Sequence, residues 1–215
     1  MAALTSLVPD VRAEIPNIPS FVAERQLLRA ARVFCQETRA WRVDFLLSVT
    51  ANTPTISLAA QLPTGTELID IISIKNISGA KPLQPKTYSW LDTNLSDWRT
   101  QTDAQAVYYL LDGNNTLRLV PTPATTTANM YDIRVAVKPL RTATVLDDLL
   151  VNRFDEELIH GALAYLYVIP KKEWSDPGMA AFHEARFLES FAGARAAAAD
   201  EFQVGVHRKV RYGGL

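Results

Sequence analysis

Three histidines, a single cysteine and two acidic runs are the residues of this 215-residue sequence whose types could carry chemistry. A zinc centre takes three or four Cys, His or carboxylate ligands at characteristic spacings. His160, His183 and His207 lie on separate segments, and none falls in a recognised zinc-ligand motif. His160 stands in an otherwise apolar run, where a hydrogen-bonded core imidazole is a simpler expectation than a catalytic base; His183 is expected at the surface. Cys35 would need a neighbouring base to act as a nucleophile, and its place on an apolar stripe assigns it to packing. Asp147-Asp148 and Asp155-Glu156-Glu157 fall where helices begin, and the positive end of a helix dipole accounts for them without paired-carboxylate catalysis. Gly65, Gly79 and Gly113 are isolated turn glycines, so no phosphate loop or nucleophile elbow is expected. Arg39, Trp41 and Arg42 are too few to make an aromatic-basic platform for nucleic acid. The chain is therefore expected to hold no catalytic, cofactor-binding or metal-binding residues.

Composition narrows the class further. An apolar fraction of 48% with 21% charged residues describes a globular chain of one large or two small domains. A formal net charge of −1 argues against a protein that coats nucleic acid. One cysteine rules out an internal disulfide framework and fits manufacture in a reducing cytoplasm. The N-terminus lacks a basic region followed by an apolar run, and no stretch approaches the length of a membrane span. Neither secretion nor membrane embedding is expected.

The elements that would position any site are readable from periodicity. Residues 152–169, NRFDEELIHGALAYLYVI, predict a helix that Asn152 caps and that becomes apolar on all sides, so it must be covered all round. Gly161 within it is expected to admit the close approach of another helix. Leu4–Val11 predicts a short helix, Ser20 caps a long amphipathic one, and Leu146–Val151 leads into the core helix. Asp176-Pro177 opens a last helix that runs to about Ala199. Between Trp41 and Pro139 the period falls to about 2, with strands expected at 43–49, 55–58, 67–75, 107–111, 116–120 and 130–137. Asp112 to Asn115 is a hairpin signal, and Tyr88–Trp98 is expected as a short helix covering an antiparallel sheet. The fold class is α+β: a discontinuous helical bundle of 1–41 and 141–200, an inserted antiparallel β-rich unit at 42–140, and an extended C-terminal tail at 201–215.

Two segments have more apolar or basic surface than the chain itself can cover. On the last helix Phe182, Ala185, Leu188, Ala192, Ala196 and Ala199 form one stripe, and Phe187 and Phe191 lie well around from it. Phe187 and Phe191 are expected at a subunit interface, packed on a neighbour or held under the β unit; the alternative is internal core. In the tail, Phe202, Val204, Val206, Val210 and Tyr212 alternate with polar and basic residues, among them His207, Arg208, Lys209 and Arg211. Such a segment suits a groove or a sheet edge on a partner.

The order of features resembles a known family. LVPDVRAEIPNIPSFVAERQLLRAARVFCQETRAW at the start, the hairpin DGNNTLRLVPTP at 112–123, Gly-Ala-Leu-Ala at 161–164, and the Pro-Lys-Lys-Glu-Trp turn with its Asp-Pro are together similar to the adaptor proteins of tailed phages. These are also called head-to-tail connector or tail tubular protein A-like proteins. The resemblance covers most of the chain. It implies a non-enzymatic structural protein of the virion at the portal vertex: a ring, twelve copies in the family, below the portal. The ring joins capsid to tail and surrounds the DNA exit channel. Implied partners are further copies of the chain, the portal protein, a tail tube or nozzle protein, and passing double-stranded DNA in loose contact; no cofactor is implied. The tail residues 202, 204, 206–212 are then expected to dock on the portal. The rival classes are an α+β hydrolase or nuclease, which would need metal-dependent turnover abolished by changes at His160 or the acidic runs, and a DNA-binding regulator, which would need sequence-specific binding that survives salt.

Overall fold

The computed structural model describes residues 2–79, 81–113 and 115–200. They form an α+β chain with six α-helices: α1 (Val8–Glu14), α2 (Ser20–Thr38), α3 (Tyr88–Asn94), α4 (Asp148–Arg153), α5 (Asp155–Tyr167) and α6 (Pro177–Ala199). Two compact units share the chain, one of residues 2–3 with 41–148 and one of residues 4–40 with 149–200.

In the helical unit, α5 is covered by both α2 and α6. Leu158, Gly161, Ala162, Leu163, Ala164, Leu166 and Tyr167 of α5 are buried, as an all-apolar helix requires. Asn152 does not cap it. The residue lies inside α4, the chain breaks at Phe154, and α5 begins at Asp155 with no side-chain cap. The break turns the Phe154 ring onto Phe34 at 5.0 Å, and Asp155, Glu156 and Glu157 supply the negative charge at the helix start. Ser20 is likewise the first residue of α2 and not its cap. Pro19 takes that position, and the Ser20 hydroxyl accepts instead from Arg12 Nη2 at 2.9 Å. The far end of α2 closes with Arg39 at φ 53°, its N–H donating to the Cys35 carbonyl at 2.9 Å. Asp176 does cap α6, accepting from Gly178 N at 2.8 Å and Met179 N at 3.1 Å.

Gly161 is the notch that lets three helices meet. A Cβ there would stand 2.8 Å from Phe187 Cε2 on α6 and 2.9 Å from Ala30 Cβ on α2. Alanine would ordinarily add about 1 kcal/mol of helix propensity, but a methyl wedged against a backbone-fixed Cβ costs about 1–3 kcal/mol of overpacking. Gly161→Ala is therefore expected to lower the melting temperature; a variant that melts higher would show that the helices can part cheaply.

The other unit is built on a three-stranded antiparallel sheet in which Thr127–Pro139 lies between Arg42–Val49 and Thr66–Asn76. Being central, that strand buries Tyr131, Ile133, Val135 and Val137 completely. A second sheet contains Thr55–Ser57, Thr116–Val120, Tyr108–Leu111 and Gln84–Pro85 in that order. Its hairpin pairs Tyr108 with Val120 and Leu111 with Leu117, and Gly113 and Asn115 turn it at φ 72° and 62°. The all-antiparallel expectation needs one correction. Gln84–Pro85 runs parallel to Tyr108–Tyr109, because the connection between them contains α3 and is long enough to cross over. Another short parallel pair joins Thr102–Asp103 to Thr122–Pro123. α3 covers this region through Leu91, which packs with Trp98, Leu110 and Val120. Leu146 is strand and not helix: Val145–Leu146 pairs with Ala2–Ala3, and α4 starts only at Asp148.

Candidate functional site

The last helix presents two apolar faces, and the structure reverses their expected roles. Phe187 and Phe191, expected at a subunit interface, are 3% and 7% exposed and point into the bundle. Their rings meet edge-on at 4.8 Å and pack around Phe34 at 6.3 and 6.0 Å. The notch at Gly161 fixes this register, since only there can the Phe187 ring sit so near α5. Ala180, His183, Ala194 and Ala198 line the same inward face. The alternative weighed for the pair, internal core, is the observed one.

Outward lies the stripe Phe182, Ala185, Leu188, Ala192, Ala196 and Ala199, every residue of it exposed. Phe182 and Leu188 keep 50% and 54% of their surface. At about 3.6 residues per turn these positions fall on one side of the helix, so α6 carries an apolar strip about 25 Å long by its rise of about 1.5 Å per residue, interrupted once by the exposed Glu189. Arg186, beside the strip, pairs with Glu189 at 3.4 Å. Arg195 fastens the far end of α6 to α2, donating to the Glu37 carbonyl at 2.6 Å and to its carboxylate at 2.8 Å. The strip is thus a rigid surface of a well-anchored helix.

Two of the chemistry-bearing residues, His160 and His183, meet in a place that the sequence analysis did not anticipate. His183, expected at the surface, is 4% exposed, and its Nδ1 lies 2.8 Å from His160 Nδ1. Tyr167 stacks on His183 at 5.5 Å. The signal was available: His160 lies seven residues before the end of α5 and His183 six after the start of α6, so an antiparallel pair brings them level. At this distance one imidazole donates and the other accepts. His183 Nε2 is buried without a partner. If His183 Nδ1 donates, that orphan atom is a lone pair and not an N–H, which is the cheaper arrangement. Each ring's Nδ1 is occupied by the other, and the pair serves to join α5 to α6.

Burial holds the His183 imidazole below its ordinary pKa; the neighbouring His160 adds to the depression and Glu14 opposes it. A histidine whose folded pKa is lowered costs nothing while pH stays above its unfolded value of about 6.5. Below that, the unfolded chain takes up a proton that the native state refuses, so stability falls with pH. The melting temperature is expected to drop between about pH 7 and pH 5.5, and by less in His183→Phe. Parallel curves for the two proteins would remove His183 from this role.

The other candidates divide plainly. Cys35 is fully buried beside Phe34, in keeping with packing. Trp41 is 3% exposed, so its ring offers no face to a nucleotide base. Asp148 lies in the first turn of α4, and Asp155, Glu156 and Glu157 in that of α5. Among the described residues no group of three or more His, Cys, Asp or Glu could hold a metal ion, and no helix is long and apolar enough to cross a membrane. His207 and the expected portal-binding residues Phe202, Val204, Val206, Arg208, Lys209, Val210, Arg211 and Tyr212 lie outside the described residues.

The sequence profile of the SU10 adaptor protein family matches residues 2–209. No curated protein matches the chain.

Proposed function

Because the chain belongs to the SU10 adaptor protein family of phage structural proteins, we propose that it is a head-to-tail adaptor whose copies close into a ring below the portal. In this reading the ring joins capsid to tail and surrounds the channel through which DNA leaves, with twelve copies as the expected number. The portal and a tail tube or nozzle protein are its neighbours. DNA passes through in loose contact, consistent with a net charge of −1 that gives duplex phosphates little to hold. The segment 201–215, with its alternating apolar and basic residues, is the proposed link to the portal.

The observation that carries this reading is the exposed strip on α6. A monomer with no partner gains nothing from a line of Phe182, Leu188 and four alanines facing water. Small side chains allow another element close to the helix, and the two large ones supply most of the apolar area removed from water. A closed ring is made by heterologous contacts, so the strip of one copy must meet a different surface of the next. Phe21 and Val168, 73% and 65% exposed on the same unit, are further apolar surface available for that contact. The test is an electron-microscopy image of the purified protein: rings with a central channel are expected. Uniform monomers at high concentration, with or without added portal, would overturn the reading.

A further inference from the structure

The most exposed apolar side chains of the helical unit collect at two places. Phe21, in the first turn of α2, keeps 73% of its surface, the most of any large hydrophobic residue among those described. Val168 at 65% and Leu188 at 54% flank a cleft of about 90 Å³ between α2, α5 and α6. The buried Ala164 and Phe187 belong to its lining, and Glu184 is its one charged residue. A closed cavity of about 150 Å³ takes a whole benzene ring. This cleft is smaller and open, so it takes the leading edge of a phenyl ring while the rest lies against Leu188 and Val168. Charge repeats the match. Arg25 lies one turn after Phe21 on α2, and Glu184 one turn before Leu188 on α6, both exposed. Neither is in an ion pair among the described residues. Arg29 of the same copy is held over the Tyr165 ring, its guanidinium 4.0 Å from the centroid.

Geometry decides whose cleft Phe21 enters. Phe21 and the cleft residue Val33 share the single helix α2, twelve residues apart, which is about 18 Å along the axis and about 120° around it. No phenylalanine side chain spans that distance, so the ring cannot fill the cleft of its own copy. Laid antiparallel, α2 of one copy and α6 of another bring Phe21 against Leu188 and Arg25 against Glu184 at once, because each pair is one turn apart. We propose that Phe21 of one copy enters the α2–α5–α6 cleft of a second copy, with Arg25 set against Glu184. The proposal rests on the oligomeric reading above and names the two mating surfaces of its junction. Knob and cleft are different surfaces of one helical unit, as a heterologous contact requires.

The test uses the full chain with photoreactive p-benzoylphenylalanine in place of Phe21, irradiated with and without added portal. Cross-links between chains are expected on a denaturing gel, with the bond mapped to residues 164–168 or 184–188. Arg25→Glu should lower their yield by about tenfold or more at low salt. Glu184→Arg should do the same, and the two together should restore the yield. All three variants should keep the parent's helix content, because both positions are exposed. Absence of cross-links between chains, cross-links mapped elsewhere, or charge reversals that do not rescue each other would overturn the proposal. Rings whose cross-links map elsewhere would reject this junction and keep the ring; correctly mapped cross-links in particles that images show not to be rings would do the reverse.

Discussion

Glutamate at Leu188 and Ala192 should leave the protein folded and separate it from its neighbours. Both positions face water on α6, and glutamate is a good helix former, so substitutions there are expected to change stability by no more than about 0.5 kcal/mol. In an assembled interface the same carboxylates would be buried without partners, at a cost of several kcal/mol. A loss of about 3–5 kcal/mol per contact is two to four orders of magnitude in affinity, repeated at every junction. Sedimentation should therefore show monomers where the parent protein shows a large species, with the same circular dichroism spectrum and melting temperature. Rings that persist in this variant would mean that the strip is not the junction.

The second large effect is expected at the inward face. Serine at both Phe187 and Phe191 should unfold the helical unit rather than release folded subunits. Each buried phenylalanine reduced to a small residue costs about 3–5 kcal/mol, and the two touch each other and Phe34, so their losses are coupled. A combined loss of about 6 kcal/mol or more rivals the whole net stability of a domain, about 5–15 kcal/mol. Helix signal should fall and the thermal transition should broaden or vanish. A cooperative transition near the parent temperature would place both rings outside the core after all.

The contrast between these two faces shows what the sequence could and could not reveal. Periodicity located α2, α5, α6 and the strands because each must bury one side, and the Asp176-Pro177 start of α6 has a local cause that acts within four residues. It also disclosed that α6 has more apolar surface than one partner needs. Which face turns inward was not legible, because that choice depends on Gly161, sixteen residues before α6 begins, and on the size of the notch it leaves beside Ala30. The stripe of alanines looked like packing; the bulkier pair was the better filler for a hollow beside Phe34. The histidine pair was missed for a related reason. His183 was expected at the surface, whereas the face it shares with Phe187 and Ala180 decides its burial. Caps at Ser20 and Asn152 failed because the tertiary contacts of Arg12 and Phe154 outweighed about 1 kcal/mol of capping.

The ring of aromatic contacts around Phe34 also sets a clock on synthesis. Phe34 must wait for Phe154, Phe187 and Phe191, which are made more than a hundred residues later. At roughly 5–20 residues per second, the apolar side of α2 spends on the order of ten to thirty seconds without its partners while residues 41–148 emerge and form their own sheets. During that interval α2 is a target for chaperones and for other nascent chains. Because α6 is the last of these helices to leave the ribosome, its outer strip appears on a rigid support only once the inner one has closed on Phe34. A truncated chain therefore lacks both the core and the docking surface, and is excluded from assembly by the same missing helix.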